Sequence, residues 1–136
     1  MNRRTTLSAA NIKYLLVMHR LLQTEEQPRS VAIARELGVS KASVHGMLES
    51  MRTLGLIDLE GRARITLTET GKAIAAKYSA CYDAMSAWLM PVLGDPQSCR
   101  AAVLAFCAEL SEDEAAAVAA ELTAQSGESD SISTDL

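Results

Sequence analysis

The sequence predicts a mostly α-helical protein, with a winged helix-turn-helix and its two-stranded wing in the first half and an α-helical dimerisation domain in the second. Three observations predict it. Apolar residues recur at helical spacing along most of the 136 residues. A glycine-centred turn joins two short helices, with a short basic hairpin behind them. Charge divides along the chain: Met1 to Lys77 carries twelve Lys/Arg against seven Asp/Glu, while Tyr78 to Leu136 carries one Arg against ten acids. The net −4 therefore hides a basic half suited to a polyanion and an acidic half suited to another task.

The first element runs from Ser8 to about Thr24, with Ile12, Leu15, Leu16 and Leu22 on one stripe behind a Ser8 cap. Glu25-Glu26-Gln27-Pro28 ends it. Ser30 opens a second helix through Val31, Ile33, Ala34 and Leu37, which stops at Gly38, the residue best able to adopt a left-handed conformation. Ser40 caps a third helix, on which Val44, Met47, Leu48, Met51 and Leu54 form a buried stripe. Leu56 to Leu59 and Ile65 to Leu67 alternate around the Gly61-Arg62-Ala63-Arg64 tip and predict a hairpin. Thr68 caps a long helix with the stripe Ile74, Tyr78, Cys81, Met85, Trp88, Leu89 as far as Pro91. Gly94-Asp95-Pro96 breaks the chain before an alanine-rich helix from Gln97 to Leu110. Ser111 with Glu114 then matches a capping box that opens a last helix to about Thr123. The expected domains are 1–70 for the winged helix and 71–123 for the helical domain, with a polar 124–136 tail read as disordered.

Several function classes are excluded at this level. There is no glycine-rich phosphate loop, no HExxH and no G-x-S-x-G, so an enzyme is not expected. No window approaches 18 uninterrupted apolar residues, so neither is a membrane partner. Arg3-Arg4 stands ahead of an apolar run, but Lys13, His19 and Arg20 interrupt that run and no small-residue cleavage site follows, so export is not expected. Cys81, Cys99 and Cys107 form neither a CxxC pair nor an even disulfide set, which fits a reducing cytoplasm. Cys99 and Cys107 lie eight apart on one helix, about 12 Å along its axis, too far to share a metal ion.

Two helices around Gly38 followed by a basic hairpin suit duplex DNA, because the major groove admits one α-helix and the preceding helix braces it. The spacing A-x-x-L-G-V-S-x-x-S-V from Ala34 to Val44 packs the corner with Ala34, Leu37, Val39 and Val44. Ser40, Lys41, Ser43 and His45 are the groove-facing candidates, with Arg52, Arg62 and Arg64 on phosphate. Arg29 and Ser30 stand at a helix N-terminus, where free N–H groups attract another phosphate. Tyr78, Met85, Trp88 and Leu89 are the expected dimer interface.

The run S-V-A-I-A-R-E-L-G-V-S-K-A-S-V-H-G-M-L-E-S-M-R-T-L-G-L-I, with I-T-L-T-E-T-G-K-A-I-A after it, resembles the diphtheria-toxin-repressor family, particularly its manganese-transport-regulator branch. The resemblance covers most of Ser8 to Thr123, and its T-E-T-G-K segment is the more diagnostic part. It implies a homodimer paired through C-terminal helices, two winged helices on a palindromic operator, and Mn²⁺ or Fe²⁺ as the switch. The chain departs from the family where the metal binds. Its first acidic residue is Glu25, beyond the first helix, and its last histidine is His45, before the wing. The family's ligand positions fall on Asn11, Tyr14, Tyr82, Leu104, Cys107 and Ala108, of which only Cys107 is a good metal ligand.

The expectation is a cytoplasmic, homodimeric repressor on double-stranded DNA, without the family's metal cofactor and open to an unidentified small-molecule effector. The alternatives are a metal- or thiol-responsive repressor with a relocated site drawn from Cys81, Asp83, Cys107 and Glu109, and a protein-interaction module that does not bind DNA.

Overall fold

The computed structural model describes residues 7–24, 29–60 and 64–135, with side-chain surroundings as far as Gly127. Arg62, at the expected wing tip, lies outside the described residues. The order is α1 (Ala9–Thr24), α2 (Ser30–Leu37), α3 (Lys41–Thr53), β1 (Ile57–Glu60), β2 (Arg64–Leu67), α4 (Glu69–Leu93), α5 (Pro96–Ala108) and α6 (Glu112–Asp135). The chain divides into two compact units, Met1–Ala76 and Lys77–Leu136. The division falls inside α4 rather than at residue 70, because Ala75 in its second turn is buried in the first unit's core.

The start of α1 is set by a reciprocal pair. The Asn11 N–H donates to Ser8 Oγ and the Ser8 N–H donates to Asn11 Oδ1, both at 3.0 Å. Two amides that the first turn would otherwise leave unpaired are thereby satisfied. Tyr14, Leu15, Val17 and Met18 of α1 then pack with Ile33, Ala34, Val44, Leu48 and Met51 into one apolar core. Arg20 and Glu36 fasten the rim between α1 and α2 with a 2.6 Å ion pair. Gly38 ends α2 at φ +68°, a conformation in which a side chain would be strained, and its N–H and that of Val39 both reach the Ala34 carbonyl.

The wing strands pair antiparallel, with Ile57 opposite Leu67, Asp58 opposite Thr66, Leu59 opposite Ile65 and Glu60 opposite Arg64. Ile57, Ile65 and Leu67 are buried, so the hairpin's inner face completes the core under α3. Thr68 locks the junction after the wing. Its hydroxyl donates to the Gly55 carbonyl at 2.7 Å and accepts the Gly71 N–H at 3.0 Å, while its own N–H donates to the Leu56 carbonyl at 3.1 Å.

In the second unit Asp95 caps α5 by accepting the Ser98 N–H at 2.9 Å, and Pro96 occupies the first turn, where no intrahelical N–H is lost. Ser111 and Glu114 form the expected capping box at the start of α6, at 2.9 and 3.1 Å. Two expectations are corrected here. α6 does not end near Thr123: its helical backbone continues to Asp135, so the polar tail is helix rather than disorder. Leu54 does not join the α3 stripe. It is the helix's C-cap and is 38% exposed, because the chain turns there toward the wing.

Candidate nucleic-acid interface

The recognition face is built on α3. Val44, Leu48 and Met51 turn inward and anchor the helix, so Lys41, Ala42, Ser43, His45 and Gly46 are left exposed along its N-terminal half. No acidic side chain interrupts this half; Glu49, further along, pairs with Arg52 at 2.6 Å. The wing follows within a few residues, and Arg64 is exposed at the start of β2. A helix braced from behind by α2 through a tight turn, with a hairpin beside it, has the geometry that inserts one helix into a major groove. The N-terminal unit is a winged helix-turn-helix.

Several sequence candidates take different roles in this winged helix. Ser40 is the N-cap of α3: its hydroxyl accepts the Ser43 N–H at 3.0 Å and donates to Ser43 Oγ at 3.0 Å. That makes Ser40 a structural cap rather than a base reader, since its hydrogen-bonding capacity is used inside the helix end. Arg52 is exposed, and Glu49 offsets its charge. Arg29 is the exposed N-cap of α2 and supplies no side-chain cap, and Ser30 is the first helical residue, half-buried. Lys41, Ser43 and His45 lie together on the exposed face. Sequence reasoning passed over Ala42 and Gly46 as site residues. The signal for both was their place beside His45 at helical spacing; a side chain added at Gly46 would meet nothing within 4 Å.

The candidates of the second unit separate. Tyr78 is 2% exposed and its hydroxyl donates to the Leu110 carbonyl at 2.6 Å. It is therefore committed within its own chain and is withdrawn from the dimer-interface set. Met85 and Leu89 are half-buried, while Trp88 is 55% and Val92 69% exposed. Of the relocated metal set, Cys81 and Cys107 meet with sulfurs 3.7 Å apart, but Asp83 and Glu109 are exposed. Among the described residues, no three His, Cys, Asp or Glu side chains cluster as a metal site.

The family's metal positions hold other chemistry. Asn11 spends its oxygen on the α1 capping pair, and its Nδ2 donates to Met47 Sδ at 3.1 Å. Tyr14 is buried, and that burial raises its phenol pKa above the usual value. Leu104 and Ala108 offer no donor atom, and Tyr82 is half-buried. These residues do not fit a hard divalent ion, which calls for carboxylate and imidazole ligands.

Comparison with known proteins agrees with the geometry. Residues 13–61 match the IclR helix-turn-helix domain. No curated protein matches the sequence significantly. Among solved structures the chain is similar to the metal-dependent transcriptional regulator MtsR (18% identity, TM-score 0.68, 83% of this chain and 53% of that one). It is similar to the manganese regulator SloR (18%, 0.67, 88% and 55%) and to T. acidophilum IdeR (17%, 0.70, 93% and 56%). The resemblance to the diphtheria-toxin-repressor family thus holds at the level of the fold. The chain spans about half the length of these three structures. Among the described residues, no helix is long and apolar enough to cross a membrane.

Proposed function

We propose that this protein is a cytoplasmic transcriptional regulator, a homodimeric repressor that binds an inverted-repeat operator without requiring Mn²⁺ or Fe²⁺. The observation that carries the reading is the exposed, acid-free N-terminal face of α3, where Lys41, Ala42, Ser43 and His45 stand on a helix anchored by three buried residues. Lys41 and Ser43 supply hydrogen bonds to base edges, and the Ala42 methyl suits apolar contact with a thymine methyl. Arg29, Arg62 and Arg64 supply phosphate contacts, which position the helix without reading sequence. Support for metal independence comes from Asn11, whose amide is committed within the first unit.

The dimer face in this reading shifts from Tyr78 to Trp88 with Val92, Leu93 and Phe106, the exposed large apolar residues of the second unit. Two-fold pairing sets the recognition helices about 34 Å apart, one turn of DNA. A cleft of ≈ 650 Å³ beside Trp88, lined also by Asp83, Ala87, Pro91 and Leu122, is the place for a small-molecule effector.

The wing provides the test. Binding of the Arg62→Ala/Arg64→Ala double variant to duplex DNA is measured from 50 to 200 mM salt beside the parent protein. Two lost phosphate contacts lower the steepness of log K against log salt by about 2, with weaker binding to every sequence. An unchanged slope with unchanged affinity removes the wing from the backbone and favours a protein-interaction module.

A further inference from the structure

Cys81 of α4 and Cys107 of α5 are 26 residues apart in sequence, yet their sulfurs stand 3.7 Å apart inside the second unit. Both are free thiols, and both are fully buried. Cys99 is also buried, but its sulfur turns to the Ser86 carbonyl at 3.8 Å. Two of the three cysteines are thus paired and the third is set apart. We infer that Cys81 and Cys107 form an oxidative modification site, a dithiol that peroxide converts to an intrachain disulfide joining α4 to α5.

Closing the bond brings the sulfurs from 3.7 Å to about 2.04 Å. The order of events follows from the contact, in which the Cys107 thiol donates to the Cys81 sulfur. Burial raises both thiol pKa values, while this hydrogen bond partly offsets the rise at Cys81. Cys81 is accordingly the attacking sulfur and Cys107 the resolving one. The Cys81 thiolate attacks one peroxide oxygen, the O–O bond breaks, and hydroxide leaves a sulfenic acid on Cys81. The Cys107 sulfur then attacks the Cys81 sulfur, the S–S bond forms, the S–O bond breaks and water departs. Two thiols lose two electrons and two protons, and one hydrogen peroxide becomes two waters. Because neither sulfur is exposed, the reaction awaits local opening of the second unit and is slower than oxidation of a surface thiol.

The test treats the full-length protein with hydrogen peroxide, blocks remaining thiols by alkylation, and digests after Lys/Arg and before Asp. That digestion places Cys81, Cys99 and Cys107 on separate fragments, 78–82, 95–100 and 101–112. The expected product joins 78–82 to 101–112 within one chain, two hydrogens lighter, reversed by dithiothreitol, with Cys99 still alkylated. The oxidised protein also melts at a higher temperature, because the bridge restricts the unfolded chain. Cys81→Ala and Cys107→Ala each abolish the cross-link, and the mapping on unsubstituted protein stands if either variant folds poorly. A cross-link through Cys99 or between chains overturns the assignment. So does sulfinic acid without a cross-link, or two free thiols after exposure that fully oxidises glutathione.

Discussion

Gly71→Ala is expected to destabilise the N-terminal unit by about 3 kcal/mol or more, the upper range for forcing atoms into packed space. Gly71 is buried in the first turn of α4, and its α-carbon faces the Leu56 carbonyl. A methyl there would overlap the Leu56 oxygen and lie 3.0 Å from its carbonyl carbon, so backbone rather than a flexible side chain must move. The moved carbonyl is the one that accepts the Thr68 N–H, and Thr68 in turn caps α4 and holds the Gly55 carbonyl. One added carbon therefore disturbs the whole junction between recognition helix, wing and α4. Gly46→Ala is the control: it lies mid-helix in open space and gains about 0.5–1 kcal/mol. Denaturant unfolding of the two variants beside the parent decides the matter. A Gly71→Ala protein within 0.5 kcal/mol of the parent would contradict the packing described for the junction.

Lys41→Glu is expected to weaken duplex binding about 100-fold, losing one contact and adding repulsion from the phosphates. The change separates binding from folding. Lys41 is the first residue of α3, where a carboxylate interacts favourably with the helix dipole, so the melting temperature should hold or rise slightly. Fluorescence anisotropy on a labelled duplex and a thermal melt, run on the same preparation, check both halves. Affinity within twofold of the parent would mean that the N-terminal end of α3 does not face DNA.

Most of the fold was legible because local signals and burial agree. Gly38, Ser40, Thr68 and the Ser111 capping pair mark helix ends through backbone chemistry that acts over four or five residues, and each does so in the structure. Gly71 was legible as part of a resemblance but not as a cause, since its contact with Leu56 depends on a turn fifteen residues away. Tyr78 shows the limit in the second unit. Its place on an apolar stripe is equally compatible with a dimer seam and an interior position, and only the Leu110 carbonyl at 2.6 Å decides between them. The meeting of Cys81 with Cys107 was likewise invisible to spacing, because it depends on how α4 and α5 pack. The end of α6 was misplaced because a polar Ser/Gly/Asp/Glu composition signals disorder, whereas the backbone continues as helix.

The most direct measurement is a titration of duplex DNA from upstream of the protein's own gene with chelator-treated protein under reducing conditions, repeated with Mn²⁺ and Fe²⁺ added. Tight, salt-dependent binding in the absence of metal, unchanged when either ion is supplied, is the result this account predicts. Binding that appears only with metal would contradict it, and would mean that side chains assigned here to capping and packing are ligands.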